Sequence, residues 1–244
     1  ERWVASILPG GEAIRSSVPL DVEAFRPTFD ATHGLLLASP VYELPATRRT
    51  EAGQEEVSLA GIDPNVFQDE GALVVRGAER ADAYAALREG GSVLVPASLA
   101  AREGIAVGNL MTLGLPGAEA VDFTVAGVVD YTIPARTPDG ALLISAADAR
   151  DTFGATSASL WIMVREPDVP ASVFASSVSE TAAQLAAQPL TARDLAGDLA
   201  RSLDRLVGLF DVLALIAVVI GALGIVNTLG IGVSERGREI AILR

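Results

Sequence analysis

From Val212 to Ser234 the chain runs about 23 residues without a charge, and Leu, Ile or Val fill thirteen of those positions. A helix of that length spans about 34 Å at roughly 1.5 Å per residue, enough for a bilayer core. Thirteen such residues favour insertion by about 5 kcal/mol, more than Asn227 and the glycines oppose. A buried helix of a soluble domain is the competing reading, but such helices usually run shorter or keep a polar face. The pattern therefore predicts a transmembrane helix over residues 212–234. Just upstream, Leu195, Leu199, Leu203, Leu206 and Phe210 recur at three- and four-residue spacing behind a capping-box-like start, Thr191 to Asp194. This predicts an amphipathic stalk helix over residues 191–211 that enters the span without a Pro or a loop.

The preceding residues show shorter periods. Gly34 to Ser39 reads as a buried strand after a Pro9-Gly10-Gly11 turn signal, Thr47 to Glu56 as a polar loop, and Glu56 to Ile62 as an alternating strand ended by Asp63-Pro64-Asn65. Strand-like runs follow at Ser92–Val95, Leu110–Leu113, Phe123–Val129, Ala141–Ile144 and Leu160–Val164. Helical stretches fall at Glu79–Glu89, Pro96–Glu103 closed by Gly104, Ala146–Phe153 and Ala171–Ala187. Short strands mixed with short helices indicate an α+β or mixed α/β domain.

Charge separates the two parts. Through Asp211 there are 29 acidic and 15 basic residues, and from Val212 onward 2 and 3. So acidic a surface disfavours nucleic acid, having no basic stripe to release counterions from phosphate. Arg201 and Arg205 precede the span, whereas Arg236, Arg238 and Arg244 crowd the ten residues after it, so the positive-inside rule places the C-terminus in the cytoplasm and residues 1–211 outside it. Ala217 with Gly221, and Gly224 with Thr228, give small-xxx-small spacings for close helix packing, and Asn227 is an amide that seeks a partner across a helix interface.

The chemistry excluded is as informative. The chain has no Lys, hence no Walker loop, and no Cys, hence no disulfide, thiol nucleophile or Cys-based zinc site. His33 is its single His, which rules out a His-rich metal site. The paired carboxylates Glu55-Glu56 and Asp69-Glu70 read as solvated surface. We therefore expect no enzymatic activity, cofactor or metal in this chain, and any ATP hydrolysis to come from a separate subunit.

Two blocks carry a resemblance. Ile220 to Thr228, followed by Ser234-Glu235-Arg236-Gly237-Arg238-Glu239-Ile240-Ala241-Ile242-Leu243-Arg244, resembles the second membrane helix and adjoining cytoplasmic segment of FtsX-like, MacB-type ABC transporter permeases. Val93 to Ala100, Gly104 to Asn109 and Phe123 to Val129 are similar to the MacB-type periplasmic core domain, departing at Asn109, where Asp is usual. The likeness covers roughly residues 57–244.

The resemblance implies an exported domain between two membrane helices of a bacterial inner-membrane permease, partnered by a cytoplasmic ATPase, that works by mechanotransmission: ATP-driven helix movements operate the exported domain. Further spans of the same permease, or a second permease copy, and an extracytoplasmic substrate or protein are the other partners it implies. It divides residues 1–190 into a porter-like lobe and a small inserted α/β lobe at roughly residues 57–139. Residues 235–244 become the coupling segment, with Glu235, Arg236, Arg238, Glu239, Ile240 and Leu243 facing the ATPase. The residues themselves support such a helix, since Glu235 and Arg238 can pair at i, i+3 and Ile240 with Leu243 starts an apolar stripe. Two alternatives stay open: an FtsX-like regulator that activates an extracytoplasmic cell-wall hydrolase, and a single-pass anchored binding module without an ATPase.

Overall fold

The first four ordered elements already pair sequence neighbours with distant segments. The computed structural model describes residues 11–69, 73–130, 132–133, 137 and 139–191. Strand β1 (Glu12–Asp21) leads into helix α1 (Val22–Asp30), whose first turn is capped by Asp21 Oδ1 accepting from the Ala24 N–H at 2.8 Å. Strand β2 (Leu35–Thr50) follows, and the chain returns beside it much later as β9 (Ser157–Arg165), helix α6 (Ala171–Gln184) and β10 (Gln188–Thr191). The order β10-β1-β9-β2 is antiparallel throughout. This is the split βαβ arrangement of ferredoxin-like folds. Phe29 of α1 stacks on Trp161 of β9 with ring centroids 4.0 Å apart, and Phe174, Val178 and Ala182 of α6 bury against the same face. Two buried hydroxyls, Thr32 and Thr181, satisfy each other at 2.8 Å.

Everything between β2 and β9 is an insertion. Strand β2 runs on past the first sheet and turns through Glu51-Ala52 into β3 (Gly53–Ile62), pairing from Tyr42↔Gly61 to Thr50↔Gly53. A polar loop was expected over Thr47–Glu56. It is a hairpin instead, because Arg48 pairs with Glu55 across the strands while Ala46 and Val57 are buried in the core. The short helix α2 (Pro64–Asp69) then starts where a turn was read, with Asp63 Oδ1 accepting from the Asn65 N–H. After β4 (Val75–Arg76) come α3 (Arg80–Glu89), β5 (Ser92–Pro96), α4 (Ala97–Glu103), β6 (Leu110–Gly114), β7 (Val121–Val129), β8 (Ala141–Ser145) and α5 (Ala146–Asp151). All of these but β4, which was not expected, match the expected strands and helices closely. Gly104 closes α4 in a left-handed conformation at φ 67°, which its lack of a Cβ allows.

The inserted strands close on themselves. β2 pairs with β3, β3 with β8 in parallel, β8 with β5, β5 with β7 in parallel, β7 with β6, and β6 back to β2 at Thr47↔Gly114 and Arg48↔Leu113. Such a ring covers the edges of its strands along the stretches that pair within it. Alternation then sorts the side chains: Val93, Val95, Leu142, Ile144, Phe123 and Leu113 belong to the interior cluster. Leu94, Leu143 and Ala141 face outward, under Phe67 of α2 and Tyr84 and Leu87 of α3. The interior cluster continues onto the α1/α6 face of the first sheet, joining both lobes in one core. None of the described helices is long and apolar enough to cross a membrane. The stalk, transmembrane and coupling expectations lie outside the described residues, save Thr191, which closes β10.

Candidate functional site

The residues singled out for helix packing, Ala217, Gly221, Gly224, Asn227 and Thr228, and those for ATPase coupling, Glu235, Arg236, Arg238, Glu239, Ile240 and Leu243, also lie outside the described residues. His33 sits exposed in the turn before β2. Among the described residues no group of three His, Asp or Glu side chains could hold a metal ion. The described part instead offers three polar features that periodicity gave no hint of.

The first lies where β2 passes from one lobe to the other. Glu43 receives a forked contact from Arg15 of β1, Nη2 to Oε1 at 3.2 Å and Nη1 to Oε2 at 3.5 Å, while the Ser159 hydroxyl of β9 donates to Oε2. Three neighbouring strands are thus tied at the first residues of the ring. A fork fixes orientation as well as distance.

The second lies at the opposite end of β2. Arg48, only 7% exposed, pairs with Glu55 across the hairpin and with Glu103 of α4 at 3.4 Å. Arg102 reaches Glu55 at 3.3 Å, Glu103 at 3.1 Å and Asp139 at 2.6 Å. Glu55, expected to be free surface, is therefore a shared partner of two arginines. The Arg102 hydrogen bond holds the Glu103 carboxyl below the ordinary carboxylate range, with Arg48 adding to it, and the same Arg102 bond lowers Asp139. The Asp139 and Glu103 bonds raise the Arg102 guanidinium in turn. A cavity of about 300 Å³ lies beside this network, with Val57, Leu99 and Leu142 in its wall. Elsewhere, burial pushes the Tyr84 phenol up to about 12, although Arg80, 5.6 Å over its ring, pulls the other way.

The third is a groove of about 430 Å³ lined by residues of α1 and α5, by β2 between Leu37 and Tyr42, and by Asp63. The Tyr42 ring is wholly buried and its hydroxyl has no hydrogen-bond partner among the described residues. Arg26, held to Glu23 at 3.2 Å, and Arg150 stand on the two walls. α5 can come this close because Gly61 of β3 lacks a side chain: a Cβ there would meet Ala149 Cβ at 2.4 Å.

A split βαβ lobe carrying an inserted, ring-closed lobe defines a two-lobed, mixed α/β fold, similar to that of the periplasmic region of MacB from Actinobacillus actinomycetemcomitans. That structure is 12% identical, aligns with a TM-score of 0.54 and is matched over 81% of this chain and 95% of its own. Residues 4–178 match the MacB-like periplasmic core domain family, and the chain belongs to it. The extracellular domain of the noncanonic ABC-type transporter YknZ from Gram-positive bacteria is also similar, at 16% identity and a TM-score of 0.49, over 72% of this chain and 91% of that one. No curated protein matches the chain by sequence.

Proposed function

We propose that this chain is the exported domain, stalk and second membrane helix of an ABC transporter permease that works by mechanotransmission. Hydrolysis of ATP by a separate cytoplasmic subunit moves the helix over residues 191–234, and that movement changes the conformation of the two-lobed domain outside the membrane, exporting or releasing a substrate. Membership of the MacB-like periplasmic core domain family carries this reading. The uncharged stretch that follows the domain and the Arg-rich end beyond it support it. The chain itself hydrolyses no ATP in this reading, in keeping with its lack of any Lys for a phosphate loop.

Coupling is tested at the cytoplasmic end. Glu239→Ala and Ile240→Ala each weaken co-purification of the partner ATPase several-fold in the full permease, while the exported domain keeps its thermal transition. Undiminished ATPase recovery with both changes overturns the coupling assignment.

A further inference from the structure

The groove beside α5 has a polar atom left over in its wall. Tyr42 is wholly buried, lines the groove, and its hydroxyl has no hydrogen-bond partner among the described residues. A buried hydroxyl usually finds one, because unpaired burial forfeits its bonds to water. At about 430 Å³ the groove is large enough for a small ligand. Val22, Leu37 and Ala146 give its lining an apolar part, and Leu37 is still 42% exposed.

The charges around it come in opposite kinds. Glu23 and Arg26 hold each other at 3.2 Å, whereas Asp63 and Arg150 have no ion pair among the described residues. These two free charges sit beside one tight contact. A Cβ on Gly61 would lie 2.4 Å from Ala149 Cβ, so α5 meets β3 there, with Arg150 next to Ala149 and Asp63 two residues beyond Gly61. One element thus brings a guanidinium and the other a carboxylate. Asp63 has an oxygen to spare, because its Oδ1 accepts from the Asn65 N–H and its Oδ2 takes no hydrogen bond among the described residues. With two acidic and two basic side chains the lining draws neither anions nor cations as such. It suits a molecule that bears both charges.

We infer that this groove binds a small zwitterion, an apolar amino acid or dipeptide with its ammonium and carboxylate groups free. Asp63 takes the ammonium, Arg150 takes the carboxylate, and the apolar side chain lies against Val22, Leu37 and Ala146. The Tyr42 hydroxyl gains the partner it lacks. The inference rests on the permease reading only for the compartment in which the ligand is met, and its test uses neither ATPase nor nucleotide, so the two fail separately.

The probes are L-leucine and the dipeptide Leu-Leu, measured by equilibrium dialysis against the full chain in detergent. At least one of them binds at millimolar concentration or below. Leucinamide keeps only the ammonium and N-acetyl-leucine only the carboxylate, and each binds at least about fivefold more weakly than the better zwitterion. Arg150→Gln brings that zwitterion down to the level of leucinamide while leaving leucinamide itself unchanged. Asp63→Asn, which keeps an oxygen for the Asn65 N–H, brings it down to the level of N-acetyl-leucine. Such pairing of one protein charge with one ligand charge is what a double-mutant cycle reads. Tyr42→Phe, which removes only the hydroxyl, weakens the zwitterion several-fold with the thermal transition retained. Equal binding of either singly charged analogue, unaltered zwitterion affinity in both charge variants, or no binding of leucine and Leu-Leu at millimolar concentration overturns the inference.

Discussion

Arg102 touches three carboxylates at once, on the hairpin, on its own helix and on the segment before β8. Because Glu103 and Asp139 are held below their ordinary values, the folded state binds fewer protons there than the unfolded chain. Their contribution is present above about pH 4 and is lost as pH falls through the lowered values. In urea denaturation followed from pH 7 to pH 3, Arg102→Leu therefore lowers the midpoint at neutral pH, and the two proteins converge as the carboxylates are protonated. A constant gap across that range would show that Arg102 acts by packing alone. The sequence displayed every member of this network but not the network. Density of charge over Thr47–Glu56 reads as loop, and only the Arg48↔Glu55 register turns that charge into a cross-strand contact. The same holds for Glu43 and Arg15, 28 positions apart.

Among the elements, those with a single clear period were legible and those interrupted by Pro were not. β5 and β8 carry continuous apolar runs and were found almost to the residue, whereas the apolar run Leu160–Val164 marked only the second half of β9, which starts at Ser157. α1 was missed because Pro27 sits inside it. The helix persists because Asp21 caps it and because Val22 and Phe29 are buried on one side while Pro27 stays exposed. β2 was read only to Ser39, since Pro40 and Pro45 interrupt it, yet it extends to Thr50. The groove was invisible for a related reason: it exists where two strands part company, a matter of register rather than pattern. Gly61 sets how closely α5, one of its walls, approaches β3. Gly61→Ala forces α5 off β3 and costs about 1–3 kcal/mol, as overpacking usually does, measured as a lowered urea midpoint. Hydrogen exchange should rise first in Ala146–Asp151, and a loss confined to another element would refute this account.

At the scale of the molecule, the mixed α/β class and its similarity to MacB-type domains were readable from a few strand–turn blocks, and the family match agrees. The closed ring was not readable, because it depends on β6 bridging β7 and β2 across more than sixty residues. The pairing of β1 with β10 has a mechanical consequence. Glu12 lies opposite Thr191, so the chain enters and leaves the domain at the same place, and only four residue pairs join those two strands. Tension applied between these ends would part the pairs one after another, like a zipper, instead of shearing them together. In single-molecule pulling from residues 12 and 191, β10 comes away at low force while β1, β9 and the ring stay folded; a single high-force rupture would contradict this. A domain whose two ends are joined by so few pairs is poor at bearing tension between them.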